Sequence, residues 1–222
     1  VKFHLAKQGI FDFPYIWHLN TYLASYFRIF LMLVIVTMMS NEYSNNTLKQ
    51  NLIDGLSKKE FLFTKFLVVI LLSAISTIFV GIISLILGLI YSNFNETSII
   101  LTNLEYLFAY FLKLVAFFSF GLFLGVLVKR SAFAIGAYII WSIIEFIVIG
   151  LMKFVWKFEN ADSISQFFPL NAQANLIKEP VSRFKAVKSV AKQLGENISK
   201  DFSVQFTDVL IVIVWIAIFL YL

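Results

Sequence analysis

Two charged side chains within the apolar runs of this sequence, Lys113 and Glu145, are the residues that could do chemistry inside a membrane. They lie at nearly equal sequence distances from the basic turn at Lys129 and Arg130. At about 1.5 Å of rise per residue, adjacent antiparallel helices would bring them to the same depth. An isolated charge there costs at least about 2.5–3.5 kcal/mol, so we expect a mutual ion pair. The alternatives are a role facing a substrate pathway and no contact at all.

Catalysis and metal binding have little support in this sequence. The chain contains no cysteine, which excludes disulfides, thiolate metal ligands and cysteine nucleophiles. His4 and His18 lie in an aromatic segment without a paired carboxylate at ligand spacing. The phosphate-binding pattern GxxxxGK(S/T) is absent. We therefore predict no catalytic residue, no metal site and no cofactor bound by this chain.

The composition is that of an integral membrane protein. Of the 222 residues, 60% are hydrophobic and 14% are charged, and the mean hydropathy is +0.86. Soluble domains average roughly 25% charged residues, so this chain could not cover a surface facing water. The net charge of +5 is distributed in the loops, which argues for membrane topology and against a nucleic-acid partner. We therefore expect membrane lipid to surround the chain.

The elements that must position these residues are apolar helices. A spanning helix needs about 20 mostly apolar residues, and this rule predicts one domain, 1–222, built as an all-α polytopic transmembrane bundle. The five predicted spans are 21–40, 66–92, 105–128, 132–155 and 208–222. The last is short, and because the chain starts at Val1 and ends in an apolar segment, we expect the native protein to be longer.

Glycine spacing predicts where two of these spans pack closely. Gly121 and Gly125 form a GxxxG pattern in the third span, and Gly136 lies near the start of the fourth. Small residues at this spacing let helix backbones approach one another in a membrane. Close packing is therefore expected at all three glycines, in preference to a gating role.

Lys and Arg in the short loops predict the orientation. Loop 41–65 and turn 129–131 carry these residues, whereas loop 93–104 has none, so 41–65 is expected in the cytoplasm. By alternation, the basic segment 156–207 then lies outside, which conflicts with its charge. After Pro180, apolar residues at helical spacing over 184–198 predict an amphipathic helix. It would rest on lipid headgroups or act as an external gate or lid.

The polar hairpin 41–65 is unusually structured for a loop between two spans. Leu48, Leu52, Ile53 and Leu56 are expected on one face of a short amphipathic helix, with Gly55 as its left-handed stop. The sequence Ser57-Lys58-Lys59-Glu60 then reads as a capping box that starts the next span at a defined residue. Such a helix would dock a partner, or it would merely rest on the inner leaflet.

The hairpin resembles ABC-2 type transporter permeases, in which an E(Y/F)xxxT(L/I)K stretch leads into a short coupling helix and an S(R/K)xxx(F/L) step. The positions that carry the resemblance are Glu42, Thr47, Leu48, Lys49, Leu52, Ser57, Lys58 and Phe61. Permeases of that family have six spans and a second cytoplasmic turn like 129–131. Relative to them, the first span and its interfacial helix are missing here, which is expected of an N-terminal truncation.

The resemblance implies a transport subunit that has no catalytic residues of its own. Two permease subunits, identical or different, would pair in a bacterial cytoplasmic membrane, and each would rest its coupling helix in a cleft of a separate ATP-binding-cassette ATPase. ATP and Mg²⁺ would bind that partner. The residues implied in coupling are Glu42, Thr47, Leu48, Lys49, Leu52, Ile53, Leu56, Ser57, Lys58 and Glu60.

Other functions stay open at this level. The hairpin could belong to a membrane anchor or sensor that docks a signalling partner without transport. A membrane-embedded enzyme would need a cluster of polar side chains, and only one carboxylate lies near the middle of a span. The apolar spans favour amphipathic cargo such as lipids, drugs or peptides.

Overall fold

The structure, a computed structural model, describes residues 11–93, 96–183 and 201–221. All regular structure in these ranges is helical and no strand occurs in them, which confirms the all-α part of the predicted fold class. The helices are α1 Tyr15–Ser44, α2 Thr47–Ile53, α3 Lys58–Tyr91, α4 Thr97–Ile100, α5 Glu105–Val128, α6 Ser131–Gly150, α7 Ala161–Ser165, α8 Pro169–Asn175 and α9 Phe206–Tyr221. A π-helical turn, Leu151–Val155, extends α6, and Val181–Arg183 forms a 3-10 turn.

Four of these helical stretches are long and apolar enough to cross a membrane. They are Tyr15–Ser44, Lys58–Tyr91, Thr97–Val128 and Ser131–Val155. Each corresponds to one of the first four predicted spans. The fifth predicted span is helix α9, which at 16 residues is shorter than the roughly 20 that a perpendicular crossing requires.

The two helices that flank the hairpin are longer than the sequence predicted. α1 has 30 residues and α3 has 34. At about 1.5 Å per residue they measure about 45 Å and 51 Å, against a hydrocarbon core of about 30 Å. Much of the predicted hairpin 41–65 is therefore continuous with these helices. Only residues 45–57 connect α1 to α3, and α2 lies within this connection.

Helix α5 forms the centre of the structure. It packs against α1, α3, α6 and α9, and most of its side chains are buried. By contrast, α3 and α6 bury few side chains and expose many large apolar ones, among them Phe79, Ile90 and Phe146. Exposed apolar surface of this extent is unusual for a protein in water. It is the pattern expected of helices whose outer faces contact lipid.

Helices α1 and α5 run side by side in the same direction and in constant register. The Ser40 hydroxyl donates to the carbonyl of Lys129, 89 residues later, at 3.3 Å. The same offset places the Arg28 guanidinium over the Phe117 ring, 4.2 Å from its centroid. The two contacts are 12 residues apart along each helix, so the helices keep one register over about 18 Å. This interface fixes which residues of α1 and α5 face one another.

The GxxxG glycines lie in this α1–α5 interface. A Cβ atom built on Gly121 would lie 2.7 Å from Met32 Cγ, and one on Gly125 would lie 3.1 Å from Met39 Cβ. A side chain at Gly121 would therefore displace Met32, and one at Gly125 would be tight. At Gly136 the structure shows no close packing, because no heavy atom of the described residues lies within 4 Å of the position its Cβ would take. The close helix partner of α5 is α1, and not the α6 helix that follows it in sequence.

Part of the predicted outer segment covers the end of the bundle where α1 and α5 begin. The His18 ring stacks on Tyr106 at 4.3 Å between centroids, and its Nε2 bonds the carbonyl of Lys178 at 2.7 Å. The Tyr106 hydroxyl donates to the carbonyl of Phe202. These bonds hold the chain on both sides of the predicted amphipathic helix. That helix itself, over 184–198, lies outside the described residues.

Candidate functional site

Helix α2 is a seven-residue helix held at the tip of the α1–α3 hairpin by turns at both of its ends. Asn46 enters it with a left-handed backbone, φ 57°. At the other end Gly55 has φ +102°, and its amide donates to the carbonyl of Leu52. The amide of Leu56 donates to the carbonyl of Asn51 at 3.0 Å. This pair of bonds is a Schellman stop, which the glycine makes possible.

The capping box expected at the start of α3 is present. The Ser57 hydroxyl accepts a hydrogen bond from the amide of Glu60 at 3.2 Å, and the Glu60 carboxylate accepts one from the amide of Ser57 at 2.8 Å. Two amides without a helical partner are satisfied in this way. The Schellman stop after α2 and the capping box at the start of α3 together define the conformation of the connection 54–57.

A salt bridge at the base of the hairpin connects all three helices. The Glu42 carboxylate on α1 contacts the ammonium of Lys65 on α3, and it also accepts a hydrogen bond from the Thr47 hydroxyl at the start of α2. The Lys65 and Glu42 side chains are only 15% and 18% exposed, so water screens this pair less than a pair at an open surface. Glu42 thus fixes the angle of α2 relative to α1 and α3.

The apolar residues of the hairpin do not share a single exposed face, which corrects the sequence expectation. Leu48 and Leu52 are half-buried, and Leu48 packs against the hydrophobic core. Ile53 is 83% exposed, and Leu56, which lies beyond the end of α2, is 37% exposed. Leu48 therefore anchors α2 to the bundle, whereas Ile53 is the most exposed apolar side chain of α2.

With the exception of Glu42, the remaining hairpin residues implied in coupling are exposed. Lys49 and Lys58 are exposed. The second basic turn lies at the same end of the bundle, because the Ser40 hydroxyl on α1 bonds both the carbonyl of Lys129 and the amide of Ser131. The hairpin tip, with Ile53 exposed, and the basic turn 129–131 therefore lie at the same end of the bundle. This end of the bundle can dock a protein.

The predicted ion pair between Lys113 and Glu145 is not formed. Glu145 accepts hydrogen bonds from the amides of Asn171 and Leu170 at 2.6 and 3.3 Å, and from the indole of Trp141 at 3.2 Å. These two amides belong to the first turn of α8, where helical amides lack internal partners and the helix dipole favours an anion. Matching depth along two helices does not reveal such a competitor, which is why the prediction is wrong.

Lys113 instead lies about one helical turn from Phe117, whose ring the Arg28 guanidinium covers, and it is 4% exposed. Nη1 of Arg28 is buried and has no hydrogen-bond partner among the described residues. A lone arginine in a span is expected to reach outward to the membrane surface, but this guanidinium lies over Phe117 inside the bundle. The sequence did not predict that Arg28 and Lys113 lie near the same ring, because they belong to different predicted spans.

Two functional contacts escaped the sequence reasoning. The Glu42–Lys65 bridge joins residues of opposite charge at the two ends of the predicted hairpin, and that pattern was visible in the sequence. The approach of Arg28 to α5 follows from the α1–α5 register, which the sequence alone does not reveal. Within the ranges that the structure describes, no group of three or more His, Asp or Glu side chains could hold a metal ion.

Residues 5–222 match the family described as a protein of unknown function, DUF2705, so the chain belongs to that family. No curated protein and no solved structure gives a significant match.

Proposed function

We propose that this DUF2705 protein is the membrane permease subunit of an ATP-binding-cassette exporter. In this proposal the long helices form a polytopic bundle in a bacterial cytoplasmic membrane, with the α1–α3 hairpin on the cytoplasmic side. Helix α2 is the coupling helix that rests in a cleft of a separate ATPase. A second permease subunit, identical or different, completes the transport pathway.

The observation that carries the proposal is the way α2 is held. A solvated loop between two spans needs no Schellman stop, no capping box and no salt bridge at its base, yet residues 42–65 have all three. Together they join α2 to α1 and α3 so that a force on α2 is transmitted to both helices. Ile53, at 83% exposure, projects from this support as a contact for a partner.

The energy source must then lie in another chain. The full sequence has no GxxxxGK(S/T) phosphate loop, so ATP and Mg²⁺ would bind the partner ATPase. Closure of two ATPase subunits on ATP would move α2 and tilt α1 and α3. A differential affinity of about 5.5 kcal/mol moves a two-state equilibrium from 1:99 to 99:1, which sets the scale of the coupling required.

Co-purification tests the proposal, with Ile53→Asp as the informative variant. The full chain is isolated in mild detergent, and mass spectrometry identifies the proteins that accompany it in stoichiometric amount. We expect a P-loop ATPase with the wild type and its loss with Ile53→Asp, because a carboxylate would replace the exposed apolar contact. Leu52→Asp is less informative, since Leu52 is half-buried and its replacement would also disturb the hairpin.

Ile164→Asp is the matched control. Ile164 is an exposed isoleucine on another short helix, α7, in the segment at the opposite end of the bundle. It should retain the ATPase. If no ATPase accompanies a wild-type chain that remains folded and paired, the permease proposal is wrong, and a signalling partner recovered through Ile53 would identify an anchor or sensor.

A further inference from the structure

Two cationic side chains, the buried Lys113 of α5 and the half-buried Arg28 of α1, lie near the same aromatic ring at the interface between α1 and α5. Arg28 lies 12 residues before Ser40, which marks the hairpin end of the bundle, so it is roughly 18 Å inside that end. This is close to the middle of a hydrocarbon core about 30 Å thick. Lys113 lies about one helical turn before the Phe117 ring that Arg28 covers, on the same helix α5. Along α5, Lys113 therefore lies about one helical turn, or roughly 6 Å, from the level of Arg28.

No carboxylate in the described chain neutralises this pair. The described salt bridges are Lys65–Glu42 and Lys153–Asp162, and Glu145 is occupied by the amides of α8. The Arg28 guanidinium lies over the face of the Phe117 ring, but its buried Nη1 makes no hydrogen bond with the described residues. Buried charges are normally paired, because an unpaired one loses its hydration without compensation. Within the part of the chain that the structure describes, Arg28 and Lys113 therefore have no carboxylate partner.

A groove lies between α1 and α3, and Tyr110 of α5 also belongs to its lining. Its volume is about 530 Å³, which lies in the range of cavities that hold small ligands. Its walls include Ala24, Phe27, Leu31, Ile75, Phe79 and Tyr110. Ala24 and Leu31 are one turn before and one turn after Arg28 on the same face of α1, and Tyr110 is one turn before Lys113 on α5. Arg28 and Lys113 do not line the groove themselves, but each lies within one helical turn of a residue that does.

We propose that this groove binds an acidic amphiphile with one apolar chain, whose carboxylate or phosphate lies between Arg28 and Lys113. The chain of the ligand packs on the aromatic side chains of α1 and α3, and its acid supplies the charge that the bundle lacks. A small anion would gain nothing from the apolar walls, and a neutral amphiphile would leave both cations unpaired. Calling this amphiphile the cargo rests on the proposed permease function, whereas its binding to the groove does not.

Photolabelling tests the site in the intact chain, held in nanodiscs of neutral phosphatidylcholine. The probe is a diazirine-bearing fatty acid, compared with the alcohol of equal chain length, and the labelled peptides are mapped by mass spectrometry. We expect the acid to label the α1 and α3 segments around Phe27 and Phe79 about tenfold more strongly than the alcohol, as for the loss of one charge-assisted hydrogen bond. Laurate and dodecyl phosphate should compete, and acetate and inorganic phosphate should not.

Arg28→Gln and Lys113→Gln should each reduce labelling by the acid about tenfold. Arg130→Gln, which removes an exposed charge at the far turn, should leave it unchanged. Because removal of a buried unpaired charge relieves a desolvation penalty, both variants should fold, and the Tm without ligand checks this. Laurate should raise the Tm of the wild type but not that of the double variant.

Equal labelling by acid and alcohol, or labelling that persists in both folded variants, would overturn the site. So would competition by inorganic phosphate as effective as that by laurate, since it would show an anion site without a place for the chain. Either result would leave the ATPase co-purification at Ile53 unaffected. Loss of that co-purification with intact acid labelling would instead overturn the permease function and leave the site standing.

Discussion

At the scale of single residues, Glu42 is the carboxylate that joins three helices, through Lys65 and Thr47. Glu42→Gln keeps the size of the side chain and removes its charge. We expect a local loss of about 0.5–1 kcal/mol, because the pair is partly shielded from water. Hydrogen exchange should show faster exchange of the α2 amides with unchanged protection in α5. Glu159→Gln, at an exposed position of the opposite segment, is the control, and equal exchange in the two variants would contradict the role of Glu42.

Glu145 is bound by backbone amides and not by Lys113, and a double-mutant cycle separates these two arrangements. Glu145→Gln should destabilise the bundle by about 1–3 kcal/mol, because a neutral side-chain amide would then face the backbone amides of Leu170 and Asn171. Lys113→Met should change the free energy of unfolding by the same amount with and without the Glu145→Gln substitution, so the coupling stays within about 0.5 kcal/mol. Thermal unfolding in detergent measures all four proteins. A large coupling energy would contradict this prediction and would indicate a direct ion pair between Lys113 and Glu145.

At the scale of helices, the α1–α5 contact predicts a contrast between two glycines. Gly121→Leu would force a side chain into Met32 and should cost about 1–3 kcal/mol or more. Gly136→Leu meets open space and should be tolerated, with a small gain in helix propensity. The Tm of each variant in the same detergent checks the prediction. Similar losses at both positions would mean that α6 also approaches a partner closely.

The turns of the hairpin could be predicted from sequence because neighbouring residues determine them. Gly55 and the pair Ser57 and Glu60 act through bonds that span only a few residues, and the structure contains both features. The exposed side of α2 could not be predicted in the same way. In a helix of seven residues, the packing of Leu48 against the bundle decides which face turns inward, and that packing depends on how α1 and α3 meet.

At the scale of the whole molecule, the sequence predicted the apolar helices but not their neighbours. The length and hydropathy of each span are properties of one segment, and four of the five expected spans have the length to cross a membrane. The central position of α5, its contact with α1 and the capture of Glu145 by α8 depend on contacts between distant segments. The two unpaired cations could be recognised only from these contacts.

The central claim is that Ile53 touches a separate ATPase, and a cross-link from that position tests it most directly. The chain has no cysteine, so Ile53→Cys provides a unique thiol for a photoreactive cross-linker in native membranes. Ile164→Cys is the control at the opposite end. The account predicts a covalent adduct with a P-loop ATPase from position 53 and none from position 164. An adduct with lipid alone at position 53, or the same ATPase from both positions, would contradict it.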